Sequence, residues 1–145
     1  LEPVEVQMLM ALNRTKNHIR QHAVDAKGAK VEYGGIRAGN SDVAKSWCMA
    51  GEITLERSVV KKATTSFSGF MAAMGYVLHE FAAGLVDSNV EHQHDVAFYE
   101  HLQSLWVDPK LVAFTMSGFA YFTRQCADKG IELHRTALAA LEEIS

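Results

Sequence analysis

Apolar residues recur at three- and four-residue spacing over long parts of the chain, a periodicity typical of amphipathic α-helices. The first such stretch runs from Pro3 to about Lys27, where the apolar side chains form one stripe. Pro3 suits the first turn of a helix, because the N–H that proline lacks would be unsatisfied there in any case. Gly28 follows the last periodic residue and suits a helix end. We therefore predict a long first helix.

A second stretch, residues 65–86, is apolar almost all round, which predicts a helix at the centre of the domain. It has the length of a membrane span, but His79 and Glu80 lie near its middle, where charge is costly in lipid. We therefore expect a buried helix and no membrane contact. One of its faces carries small and polar residues that would let another helix or a flat ligand approach the backbone: Ser68, Ala72, Gly75, Tyr76, His79 and Ala83.

Capping signals mark two further helices in the second half of the chain. A Ser-x-x-Glu capping box at Ser88 opens a helix that should reach about Trp106. Asp108 then suits the N-cap of the next helix, and Pro109 suits its first turn. This helix should end near Ala127.

Two parts of the first half lack a clear helical period. The glycine-rich stretch 28–40 indicates an ordered loop or a small hairpin. Ser41 suits the N-cap of a short helix that ends near Ala50. Over 52–63, two apolar residues alternate as in a strand while the charged residues favour a helix, and we predict a helix there.

The closing stretch, residues 131–144, is again amphipathic and predicts a last helix. Together these patterns predict an all-α fold, a single domain over residues 1–145. Five or six helices would surround the central apolar helix at 65–86, with the loop or hairpin at 28–40.

Composition narrows the function classes. The basic residues are scattered without interleaved aromatics, so we expect no nucleic-acid partner. Cys48 and Cys126 are far apart and form no CxxC motif, which favours reduced thiols in the cytoplasm or an organelle interior. No signal peptide is recognisable. No nucleophile, paired-carboxylate or phosphate-loop motif indicates an enzyme.

The segment "SNVEHQHDVAFYEHL", residues 88–102, raises the question of a metal site. Glu91, His94 and Asp95 would lie close together on a helix, and Glu-x-x-His is the pattern used in di-iron helix bundles. They are our candidate ligands for a divalent metal. His18 and His22, spaced four apart, could also hold one ion. The alternative is that the histidines are half-buried and hydrogen-bonded to backbone or carboxylates.

The segment "HLQSLWVDP" resembles the part of globins that runs from the haem-binding proximal histidine into the G helix. The matching residues are His101, Leu105, Val107, Asp108 and Pro109. The resemblance implies haem as cofactor, with His101 as the iron ligand. Phe70, Ala72 and Tyr76 of the predicted helix 65–86 would then lie against the haem.

The globin resemblance covers at most residues 66–145. Residues 1–62 do not show the A, B and C helices of a globin, because the glycine-rich stretch stands where helix is needed. No phenylalanine at residues 45–60 matches the one that globins pack on the haem before the E helix.

Three features favour a non-catalytic function. No specific catalytic motif is present, aromatic and Met residues exceed what a modest core needs, and the net charge of −3 is unevenly spread. Basic residues outnumber acidic ones over 1–62, and the reverse holds over 63–145. We therefore predict a helical interaction or assembly module that binds a protein partner or a second copy of itself, as an oligomer or a subunit of a larger complex. A haem- or metal-binding protein is the alternative.

Overall fold

The computed structural model describes residues 1–27, 35–49, 52–86, 103 and 107–144. Within these ranges the protein is mostly helical, with five helices and one small sheet. In chain order the elements are α1 (Pro3–Lys27), β1 (Ile36–Gly39), β2 (Ser46–Met49), β3 (Glu52–Glu56), α2 (Arg57–Thr65), α3 (Phe67–Val86), α4 (Pro109–Asp128) and α5 (Arg135–Ile144).

Helix α1 has the bounds that its periodicity predicts, and it packs along α4. The two helices come close at Thr15 and Gly118, where a Cβ added to the glycine would lie 2.0 Å from the threonine Oγ1. Only a residue without a side chain allows this approach. The predicted apolar stripe of α1 is buried here, with Met8, Ala11, Leu12, Thr15 and Ile19 all at 1% exposure or less.

The ends of α4 follow the predicted capping signals. Asp108 is the N-cap, and its Oδ1 accepts a hydrogen bond from the Lys110 backbone N–H at 3.0 Å. Pro109 occupies the first turn. After the helix, Gly130 has a φ of 69°, a conformation that glycine adopts without steric cost. The predicted last helix is also present, as α5.

Helix α3 confirms the predicted helix over 65–86 to within two residues. One face of its described part lies in the core and consists of Phe70, Ala73, Met74, Val77 and Leu78. The Phe70 ring stacks on Phe119 of α4 with 5.5 Å between ring centroids. Helix α3 is therefore attached to α4 on this face, which leaves its small-residue face for other contacts.

The all-α prediction is wrong in one respect, because the described residues include a three-stranded sheet with strand order β1-β3-β2. Strand β3 lies in the middle, parallel to β1 and antiparallel to β2. The stretch 46–49, predicted as helix, is strand β2. The Ser41 hydroxyl does accept from two backbone N–H groups, of Val43 and Ala44, but in a turn. A serine cap satisfies the same donors in a turn and in a helix, so this signal did not distinguish them.

The helix predicted over 52–63 is wrong in its first part, residues 52–56, and correct in the rest. Ile53 and Leu55 are fully buried in β3, so their alternation was the correct signal. Helix α2 begins directly afterwards, with Glu56 as its N-cap. The charged residues that favoured helix belong mostly to α2.

The predicted loop or hairpin at 28–40 can be judged only in its second half. Strand β1 pairs in parallel with β3, so this half is a strand whose partner is outside the stretch. Residues 28–34, and nearly all of the predicted helix over 88–106, lie outside the described residues. No helix in the described ranges is long and apolar enough to cross a membrane.

Candidate functional site

A cleft of about 600 Å³ opens between α3 and the segment that leads into β2. We call it the main cleft. Its volume lies in the range of small-molecule sites, roughly 300–1,000 Å³. Its lining combines small, aromatic and ionisable side chains: Ala44, Lys45, Ser46, Ala72, Gly75, Tyr76, His79 and Glu80.

The floor of the main cleft is the small-residue face of α3. Ala72 and Gly75 offer almost no side-chain bulk, so the cleft reaches the helix backbone. Tyr76 and His79 lie on the same face at helical spacing and border the floor. The opposite face of α3 is held in the core by Phe70, so the floor is preformed.

One end of the main cleft is closed by a contact between β2 and α3. The Ser46 hydroxyl donates a hydrogen bond to Glu80 Oε1 at 3.0 Å. Glu80 is 3% exposed, and a buried carboxyl group requires such partners. The contact joins the first residue of β2 to α3 and positions the cleft wall formed by residues 44–46.

A smaller cavity of about 110 Å³ adjoins the main cleft at its other end. We call it the annex. Three residues, Lys45, Ala72 and Tyr76, line both cavities, so the two lie side by side. The remaining lining residues come from α2 and the start of α3: Ser58, Val59, Lys62 and Gly69.

The annex exists because α2 ends very close to the start of α3. A Cβ added to Gly69 would lie 2.1 Å from the carbonyl oxygen of Lys62. Glycine permits this approach, and it places the Lys62 backbone beside α3. Lys45 and Lys62, which are distant in sequence, thereby line one small cavity.

Both lysines act on the carboxylate of Glu56. The pKa of Glu56 lies below its ordinary value of 4.5, first because the Ser58 hydroxyl donates to the carboxylate, then through the Ser58 backbone N–H and the charges of Lys45 and Lys62. Lys45 Nζ is 3.9 Å from Glu56 Oε2, a long ion pair. The Glu56 carboxylate, which caps α2, is therefore close enough to two lysines of the annex lining to be acted on by both charges.

The sequence-predicted haem residues are only partly brought together. Ala72 and Tyr76 line the main cleft. Phe70 does not, because it is fully buried against Phe119 on the other face of α3. His101 lies outside the described residues, so the haem site stays a prediction.

The candidate metal ligands Glu91, His94 and Asp95 also lie outside the described residues, and this metal site stays a prediction. In the part of the chain that the structure describes, no group of three or more His, Cys, Asp or Glu side chains could hold a metal ion.

The other histidine pair noted in the sequence lies at the contact of α1 with α4. His22 Nε2 is 2.5 Å from Asp108 Oδ2, so His22 is bound to a carboxylate. The rings of His18 and His22 lie 5.7 and 6.1 Å from the Phe114 ring. This pair joins two helices.

Several residues of the two cavities were not predicted from the sequence. Glu80 carried a signal, since an acid within an apolar helix needs a partner when it is buried. No local sequence signal indicated Lys45, Ser46 or Lys62. These residues lie beside α3 because of the sheet pairing and the close approach of α2 to α3, and neither is encoded locally. No model of a protein family, no curated protein and no solved structure matches this chain, so a functional proposal depends on the geometry of the cleft.

Proposed function

We propose that this protein binds a small, partly apolar molecule in the main cleft. The observation that carries the proposal is the cleft itself, about 600 Å³ with a floor of Ala72 and Gly75 and a rim of ionisable side chains. Binding sites for small molecules combine an apolar surface with a few polar groups in the same way.

Each part of the cleft has a distinct effect on such a ligand. The small residues of α3 allow a flat apolar body to lie against the helix, beside the Tyr76 ring. Because α3 is already held in the core by Phe70, little conformational entropy is lost on binding. Lys45 at the rim supplies hydrogen-bond donors that orient the ligand, and the Ser46 hydroxyl, whose proton is donated to Glu80, supplies an acceptor.

A neutral fluorescent probe, N-phenyl-1-naphthylamine, tests the proposal, because its emission rises in apolar surroundings. We expect saturable binding to the purified chain. The variant Ala72→Phe should lower the affinity for the probe by about tenfold or more, because the new ring fills the space beside both cavities and displaces the probe. A tenfold loss of affinity corresponds to roughly 1.4 kcal/mol of binding free energy. Ala72 is exposed, so the variant should keep the fold.

Met71→Phe is the matched control. Met71 is the neighbouring residue on α3, is 37% exposed and does not line either described cavity. It should leave the affinity unchanged. Equal affinity of the wild type and Ala72→Phe, with both melting at the same temperature, would show that the probe binds elsewhere and would contradict the proposal.

A second proposal is self-association through α1, as expected for an assembly module. Its support is the exposure of Val6 and Met10, at 40% and 48%, which lie one turn apart on α1. Size-exclusion chromatography with light scattering tests it. We expect a dimer or larger species in the wild type and a monomer in Met10→Glu, and a wild-type monomer at high concentration would contradict it.

The haem and metal alternatives have simple tests of their own. A Soret band that is lost in His101→Ala would establish haem binding. Elemental analysis of the purified protein would establish a metal, which His94→Ala should remove.

A further inference from the structure

We infer that the ligand of the main cleft is an amphipathic anion whose negatively charged group sits in the annex, between Lys45 and Lys62. This inference rests on the proposed function, because the annex opens from the main cleft. The ligand class is an apolar body with one carboxylate, sulfonate or phosphate group at its end.

The sizes of the two cavities match the two parts of such a ligand. The annex, at about 110 Å³, accepts a compact anionic group but is too small for an extended apolar body. The main cleft is several times larger. Lys45, Ala72 and Tyr76 border both, so a ligand can extend from one into the other.

The charges of the lysines that line the annex determine the orientation of the ligand. Lys45 is 58% exposed, and its ion pair with Glu56 is long at 3.9 Å. The Glu56 carboxylate is already hydrogen-bonded to the backbone N–H and hydroxyl of Ser58. Both ammonium groups can therefore bind a ligand anion, because each is positively charged and has three N–H donors.

The far end of the main cleft has the opposite character. Glu80 lies there and accepts a hydrogen bond from Ser46, so that end presents a buried acid where the annex presents two lysines. Gly69 of the annex and Glu80 of the main cleft are separated by about 16 Å along the axis of α3, at 1.5 Å per residue. The ligand should therefore lie parallel to α3, with its anionic group towards the start of the helix.

A pair of probes that differ in charge tests the inference. 8-Anilinonaphthalene-1-sulfonate is an amphipathic anion, and N-phenyl-1-naphthylamine has nearly the same apolar body without the sulfonate. In the double variant Lys45→Met/Lys62→Met, affinity for the anionic probe should fall by about fivefold or more at low salt, since two charge-assisted contacts are lost. Affinity for the neutral probe should stay within about twofold, because its contacts involve no charge.

Lys61→Met provides the matched control. Lys61 is the neighbouring exposed lysine on α2, and it does not line either described cavity. Its charge acts on Glu5, on the α1 side of α2. It should leave both probes unaffected.

The possible failures are distinguishable. If Ala72→Phe abolishes binding of both probes while the double lysine variant binds the anionic probe as well as the wild type does, the inference is overturned and the proposed function stands. If Lys61→Met lowers the affinity for the anionic probe as much as the double lysine variant does, only a diffuse positive field acts, and the inference again fails. If Ala72→Phe changes neither probe, the proposed function and the inference fall together.

Discussion

Glu5 of α1 and Arg57, the first residue of α2, form a two-point ion pair. Arg57 Nε donates to Glu5 Oε2 at 3.2 Å, and a terminal nitrogen of the same guanidinium donates to Oε1 at 3.1 Å. The two partners differ in burial: the Glu5 side chain is 1% exposed and the Arg57 side chain is 41% exposed. The Arg57 hydrogen bonds hold the pKa of Glu5 below its ordinary value of 4.5 against the opposing effect of burial.

This asymmetry predicts that Arg57→Met destabilises the protein more than Glu5→Gln. Losing Arg57 leaves a buried carboxylate without its cation, whereas losing the Glu5 charge leaves an arginine that water can reach. Glu5→Gln should cost roughly 1.5–3 kcal/mol, the range of a hydrogen bond to a charged group. Urea denaturation at pH 7.5 gives both values, and the reverse order would contradict the prediction.

The same pair predicts a pH dependence. Because the folded pKa of Glu5 is lowered, its stabilisation is present above the unfolded value and is lost as the pH falls through the unfolded value towards the folded one. In Arg57→Met the buried carboxyl binds a proton readily, so the stability gap to the wild type should narrow between pH 7.5 and 4. An unchanged gap would show that the carboxylate does not need the arginine.

Lys16 on α1 is 2% exposed, and burial, with a smaller effect of the Arg20 charge, lowers its pKa to about 8. Between this value and the ordinary 10.5 the unfolded chain binds a proton that the folded chain does not, so stability should rise with pH across that window. Lys16→Met should therefore stabilise the protein at pH 7 by roughly 3 kcal/mol, since each unit between the two pKa values is worth about 1.4 kcal/mol. This gain should shrink by pH 10.

Urea denaturation of wild type and Lys16→Met at pH 7, 8, 9 and 10 measures this difference. Lys110→Met, at an exposed lysine of α4, is the control and should show no pH-dependent difference. A Lys16→Met variant that is less stable than the wild type at pH 7 would mean that the buried ammonium contributes more through its contacts than its burial costs.

Asp108 has two roles that different substitutions separate. Its Oδ1 caps α4, and its Oδ2 binds His22 of α1. Asp108→Asn keeps a good cap and loses only the charge, whereas Asp108→Ala loses both and should cost about 1 kcal/mol for the cap alone. We expect Asp108→Ala to have a lower melting temperature than Asp108→Asn at pH 7.

Acid should remove part of this stabilisation. The Lys110 backbone N–H and then His22 lower the pKa of Asp108, so its contribution is present above the ordinary value of 3.8 and is lost as the pH falls below it. The melting temperatures of the wild type and Asp108→Asn should therefore draw closer together as the pH falls below 3.8. Parallel curves from pH 7 to 3 would contradict the role of the charge.

Gly118→Ala should destabilise the protein even though alanine favours helices by about 1 kcal/mol. The new Cβ would lie 2.0 Å from Thr15 Oγ1, so α1 and α4 must separate, at a cost of roughly 1–3 kcal/mol. Thr15→Ala removes the clashing oxygen. The double variant should therefore be more stable than the sum of the two single changes predicts, and simple additivity in a double-mutant cycle would contradict this contact.

Only one wall of the cleft could be predicted from the sequence. The small-residue face of the helix over 65–86 was visible as a place where something could approach closely, and Ala72, Gly75, Tyr76 and His79 do line the cleft. The opposite wall was not visible. Residues 44–46 lie beside α3 because β2 pairs with β3, and a helix was predicted there.

The helices α1, α3 and α4 could be predicted from the sequence because their signals are local. A 3.6-residue period and a capping aspartate at Asp108 act within a few residues of the element that they define. The sheet, the burial of Lys16 and the lining of one cavity by both Lys45 and Lys62 depend instead on contacts between distant parts of the chain. The backbone groups of a strand are satisfied by another strand, and a lysine is buried by neighbours on other elements, so the partners lie far away in the sequence.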